Sequence, residues 1–316
     1  MRRSVVLVAL AFGIGAAACT SNGDPQPTGA TGTAVNALMA TSDLYVGAPQ
    51  RVSFGLVLND QRLVSFGSVD VAFVYRGSGD DEPQPGPATT AVYLPTPGTP
   101  AGTGGPTVTL PSEARGVYQA EDVTFDRPGV WEGHVTADVG GLGAVRTAVG
   151  FVVLDDPQYP APGEEALPTR NLTIDSDEAP PEAIDSRAAN GGKLPDAELH
   201  QTTIAEALRR GVPALVIFST PVYCPSQFCG PVTEVVEDLA RRYGDRAEFI
   251  HVEIWRDHEA NTINQAAADW LYREGDLTEP WLYLIGADGI IEDRWATLWR
   301  EDEVAAALEA LPPIRT

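Results

Sequence analysis

Short runs of alternating apolar and polar residues fill the first half of the chain. RVSFGLVL, RLVSFGSVDVAFVYRG, TAVYLP, GVYQAEDVTF, GVWEGHVTADV and GAVRTAVGFVVL are rich in Val, Phe, Tyr and Thr. A period of two puts every second side chain on one face, so each run predicts a half-buried β-strand. Clusters such as GSGDDEPQPGP and PTPGTPAGTGGP separate the runs and read as turns. Near residue 198 the period changes. TTIAEALRRG predicts a helix with Ile204, Ala207 and Leu208 on one face and Gly211 as its C-cap. ALVIFS predicts a buried strand. In PVTEVVEDLARRYG, Val232, Val235, Val236 and Leu239 recur at helical spacing, and Gly244 stops the helix. AEFIHVEIW predicts a strand and ANTINQAAADWLY a helix. WLYLIG and GIIEDRW flank the hairpin turn Ala287-Asp288-Gly289, and EDEVAAALEAL closes as a helix with its acids in the first turn.

These patterns predict two domains. Residues 34–155 form an all-β domain of about seven strands, an antiparallel sandwich of immunoglobulin-like architecture. Its stretch TFDRPGVWEGHV looks like the penultimate hairpin of small extracytoplasmic sandwiches, with Trp131 as a core plug. Residues 198–316 form an α/β domain in the order helix, then β-α-β-α-β-β-α. Residues 156–197, rich in Pro, Asp and Glu, read as a linker or an extended lead-in draped over the α/β part.

The chain opens MRRSVVLVALAFGIGAAAC: two arginines, an apolar run, then small residues before Cys19. This predicts a secretory signal over 1–18, too short to be a comfortable transmembrane helix. Ala-Ala-Ala-Cys resembles the end of a bacterial lipoprotein signal, although Ala16 stands where that motif usually has Leu. The resemblance implies lipidation of Cys19, attachment to the outer face of the cell membrane, and a flexible tether over 19–33. Cut near Ala18 without acylation, the chain would instead be an ordinary secreted protein.

Charge narrows the partners. The chain carries 21 basic and 44 acidic residues, a net charge of −23. That balance excludes electrostatic binding of nucleic acid and of anionic lipid surfaces. No nucleotide fingerprint, phosphate loop, paired-cysteine zinc site or Ser/His/Asp set is present, and no cofactor is predicted. In the β domain, His134 and Met39 are too few to make a soft-metal site.

The chain has three cysteines. With Cys19 given to lipid, Cys224 and Cys229 remain as a pair in an oxidising compartment. They lie between a predicted strand and the start of a helix, where a thiolate is stabilised. Positions five apart on a helix lie ~500° apart, or ~140° round its axis. Cys224 therefore belongs to the loop and Cys229 near the first turn, with the helix starting about Pro231.

The element order, the cysteine pair after the first strand, and Pro280 just before the strand that enters the hairpin together resemble the thioredoxin fold over about 198–316. The whole chain looks like a lipoprotein-anchored, thioredoxin-domain protein of bacterial envelopes, in a CxxxxC variant. The resemblance implies a cis Pro280 packed against the pair. It also implies catalytic roles for Cys224, Cys229 and Pro280, and partners among envelope proteins with thiols or disulfides. Thioredoxins keep a carboxylate under their cysteines; ALVIFS has Ile217 or Phe218 there, which leaves proton transfer to Glu279 or water. Three functions follow. The pair works in thiol–disulfide exchange, with Cys224 attacking, Cys229 resolving, and Tyr223 and Trp281 flanking a groove. Or it forms a structural disulfide in a binding or scaffold module. Or it carries copper(I), as Sco-type proteins do with a histidine. His251, read as a packed strand residue, and His258, read as a solvated loop residue, are the candidates for that histidine.

Overall fold

Alternation of side chains sets the β part, and the structure, a computed structural model, realises it with nine strands rather than about seven. It describes residues 34–77, 82–100, 102 and 104–314. The predicted signal, Cys19 and the tether lie outside the described residues. The strands are β1 (Val35–Met39), β2 (Gln50–Leu58), β3 (Leu63–Ser65), β4 (Ser68–Gly77), β5 (Gln84–Pro95), β6 (Thr107–Thr109), β7 (Gly116–Val123), β8 (Gly129–Val139) and β9 (Gly143–Val153). They pair in the order β6-β3-β2-β7-β5-β4-β8-β9, with β1 also on β2. Every pairing is antiparallel.

Strand β5 works in two halves. Residues from Gln84 to Val92 pair with β4, and residues from Val92 to Pro95 pair with β7. Its first half, QPGPAT, looks like a turn in sequence, because Gly and Pro are depleted in strands. Gly86 is needed there: a Cβ would collide with the Trp131 ring. Phe54, Phe73, Tyr118, Phe125 and Trp131 meet in one core. Phe73 and Trp131 each meet Phe125 edge to face, at 5.4 and 4.9 Å between centroids.

The α/β part runs α1 (Ile204–Arg210), β10 (Ala214–Ser219), α2 (Cys229–Tyr243) and β11 (Glu248–Glu253). A small ribbon of β12 (Trp255–Asp257) and β13 (Thr262–Ile263) precedes α3 (Gln265–Leu271). A second, of β14 (Tyr272–Arg273) and β15 (Asp276–Leu277), follows it. Then come β16 (Trp281–Ile285), β17 (Ile291–Ala296) and α4 (Glu301–Ala310). The main sheet has the order β11-β10-β16-β17; β10 runs parallel to β11 and antiparallel to β16. All six residues of β10 are buried, as a strand covered on both faces requires. Leu215 and Ile217 pack in one core with α2 and α4, while Val216 and Phe218 pack in another with α1 and α3.

Residues 156–197 are folded. Tyr159 and Ala166 join the second of these cores. The backbone of Gly163 and Ala166 donates to Ile291 and Gly289 at 2.9 Å each. Short 3-10 turns follow at Pro181–Ala183, Ser186–Gly191 and Ala197–His200. The described residues form one compact unit. Among them, no helix is long and apolar enough to cross a membrane.

Leu94 and Val117 of the nine-stranded sheet pack in the α2/α4 core. A buried ion pair reinforces the joint: Arg294 Nη2 lies 2.8 Å from Asp43 Oδ2. Asp43 also accepts from the backbone of Gln158 at 3.0 Å. Removing one partner of such a pair leaves a buried charge uncompensated. Asp43→Ala is expected to lower the unfolding free energy by about 3–5 kcal/mol in urea titrations. A loss below ~1 kcal/mol would mean that the joint does not depend on this pair.

Candidate functional site

The chain between β10 and α2 is short and turns sharply. Gln227 donates its backbone N–H to the Cys224 carbonyl at 3.1 Å and adopts φ +61°. This turn brings Cys224 and Cys229 together as a disulfide, with Cα atoms 6.0 Å apart, within the usual span for such a bond. Helix α2 starts at Cys229, two residues earlier than the placement of Pro231 suggests. Pro231 is accommodated because the first N–H groups of a helix have no partner within it. Thr233 fixes the helix start to β10: its hydroxyl donates to the Cys229 carbonyl at 2.7 Å and lies 2.8 Å from Ser219 Oγ.

Cys224 is 7% exposed and Cys229 is 0%. Cys224 lines a groove of about 730 Å³ whose walls include Tyr223, Trp255, His258, Glu279 and Trp281. Ala40 and Ser42, from the connection between β1 and β2, complete one wall. His258 is exposed but stacks on Tyr223, with 3.9 Å between centroids and planes 6° apart. Pro280 also lines the groove, and the Glu279–Pro280 peptide is cis.

Glu279 is the third member of the pair's surroundings. A carboxylate oxygen of Glu279 and both sulfurs lie within 4.8 Å of one another. Oε2 of Glu279 is buried without a hydrogen-bond partner. Burial, and then the neighbouring Glu253 carboxylate, push the Glu279 pKa up to about 8, although a backbone hydrogen bond from Thr220 works the other way. Burial likewise raises Glu253, with His251 the chief opposing influence. The third ligand type beside the sulfurs is thus a hard carboxylate oxygen, poorly suited to copper(I).

A second cluster lies apart from the groove and draws on residues that sequence reasoning did not bring together. His200 Nε2 and His251 Nδ1 each approach Asp185 Oδ2 to 3.4 Å, with all three side chains fully buried. Asp185 comes from the stretch read as a linker or an extended lead-in. Neither family models nor curated proteins match the chain.

The raised pKa of Glu279 has a consequence for stability. The folded state holds a proton that the unfolded chain releases at lower pH, so stability is lost as pH rises from about 5 to about 8. Glu279→Gln removes this contribution and leaves that of Glu253. Between these limits, denaturation midpoints are expected to fall more steeply for the wild type than for the variant. Parallel profiles would show that Glu279 titrates as an ordinary surface acid.

Proposed function

We propose that the protein is an extracytoplasmic thiol–disulfide oxidoreductase acting through Cys224 and Cys229. The observation that carries this reading is a disulfide whose Cys224 lines an open groove, with a proton-holding carboxyl, Glu279, beside both sulfurs. The order β11-β10-β16-β17, with the pair between β10 and α2, is similar to the thioredoxin fold. The antiparallel strands before it resemble an immunoglobulin-like sandwich. The leader pattern supports a lipid anchor on Cys19 and a place on the cell envelope. Partners would be envelope proteins bearing thiols or disulfides.

The groove directs the order of events. A partner thiolate attacks Cys224 Sγ, the sulfur that lines the groove. The Cys224–Cys229 bond breaks, and Cys229 leaves with the electron pair and takes the proton from Glu279. A second partner thiol then gives its proton to solvent in the open groove, and its thiolate attacks the partner's sulfur in the mixed disulfide. Cys224 leaves as a thiolate, stabilised near the N-terminus of α2. Two electrons pass from the partner dithiol to the pair. Transfer in the other direction uses the same groups in reverse, with ionised Glu279 taking the Cys229 proton.

Burial of both sulfurs favours a second reading, a structural staple. Reduction potential separates the two. Exchange proteins fall within about −120 to −270 mV, and structural disulfides below about −300 mV. A value in the first range, together with mixed disulfides accumulating on Cys229→Ser, is the expected result. A value below −300 mV with no trapped partner would identify a staple.

A second expectation concerns rate. Reduction of the pair by a small dithiol should slow in Glu279→Gln by roughly 10²-fold, the range of general acid catalysis. The inflection near pH 8 should disappear from its pH profile. An unchanged rate and profile would remove Glu279 from the proton path.

A further inference from the structure

The cluster of Asp185, His200 and His251 takes no part in the exchange derived above, and its hydrogen-bond pattern is incomplete. His251 Nε2 lies 3.1 Å from the Ser219 carbonyl oxygen. A carbonyl only accepts, so this nitrogen carries the hydrogen and donates it. In the neutral ring Nδ1 is then a bare lone pair, and it faces Asp185 Oδ2 at 3.4 Å. His200 directs Nε2 at the same oxygen from 3.4 Å, and neither of its ring nitrogens has a hydrogen-bond partner. Buried polar atoms are seldom left in this state. A lone pair on His251 Nδ1 facing a carboxylate oxygen calls for positive charge between them, and His200 Nε2 approaches the same oxygen.

The distances separate two kinds of contact. Arg187 Nη2 donates to Asp185 Oδ2 at 2.6 Å, and Arg187 Nε to Oδ1 at 3.0 Å. These are direct, charge-assisted hydrogen bonds. Both histidines stop at 3.4 Å, longer than such a bond. Ligands held about 2.0–2.1 Å from a tetrahedral zinc ion stand about 3.3–3.4 Å from one another. The two histidine approaches match that edge.

We propose that Asp185, His200 and His251 bind a divalent metal ion of the zinc class, which staples the stretch before α1 to β11. Two imidazoles and a carboxylate are a donor set suited to zinc. The Ser219 carbonyl orients His251, and Arg187 orients Asp185, as outer partners of metal ligands do. Glu237 and Asp196 offset the Arg187 charge. No fourth His, Cys, Asp or Glu joins the group among the described residues.

The site stands independently of the redox reading, and the test keeps them apart. Full-length protein purified without chelator is analysed for metals by mass spectrometry, before and after incubation with zinc chloride and removal of free ion. About one zinc per chain is expected, retained when Cys224 and Cys229 are both changed to Ser. Zinc should fall at least about tenfold in His200→Gln and in His251→Gln. If those variants do not fold, cobalt(II) loaded into chelator-treated wild type serves instead. Tetrahedral absorption bands without thiolate charge-transfer bands are expected. No bound zinc, zinc lost with the cysteines, or a thiolate–cobalt spectrum would each overturn the proposal.

Discussion

Strand β10 leaves none of its six residues to water, and much of the architecture answers that one constraint. A strand of Ala, Leu, Val, Ile, Phe and Ser needs cover on both faces. Burying each large side chain contributes about 1.5–3 kcal/mol only if the cover is complete. Helices α2 and α4 close one face, with Leu94 and Val117 of the nine-stranded sheet in the same core. Helices α1 and α3 close the other, with Tyr159 and Ala166 from the stretch between the two parts. The long connection and the β part are therefore structural walls of the α/β sheet. The same strand ends in Ser219, whose side chain meets Thr233 of the cysteine helix and whose carbonyl meets His251. One buried strand thus positions both the cysteine pair and the candidate metal site.

What the sequence made legible was local. Two-residue alternation marked most strands, and helical spacing of Val232, Val236 and Leu239 marked the face of α2 that is buried. The left-handed Gly211, φ +64°, ends α1 where its identity indicates. The Cys224–Cys229 pair was visible between a predicted strand and a predicted helix, and Pro280 because its place before the hairpin strand resembles the thioredoxin pattern. The three-residue strand β6 escaped because so few positions establish no period, and β3 was read as one run with β4. The first half of β5 escaped because Gly and Pro obscure its pairing with β4.

The remaining features depend on partners distant in the chain. Asp185 meets His200 fifteen positions later and His251 sixty-six positions later, so no window of sequence holds all three. Its own surroundings, rich in Pro and acids, average to the composition of a linker. Glu279 was noticeable as the residue before Pro280. Its retained proton, however, comes from burial and from Glu253, which the fold places nearby. Electrostatic character of this kind belongs to the assembled interior and has no linear signature.

The groove beside Cys224 has walls from both parts of the molecule, Ala40 and Ser42 on one side and Tyr223 and Trp281 on the other. A partner lodged there touches both at once. Its binding free energy is therefore linked to the joint between them, and by reciprocity whatever tightens the joint tightens the hold on the partner. Arg294 and Asp43, which never meet that partner, would on this basis tune its affinity from a distance.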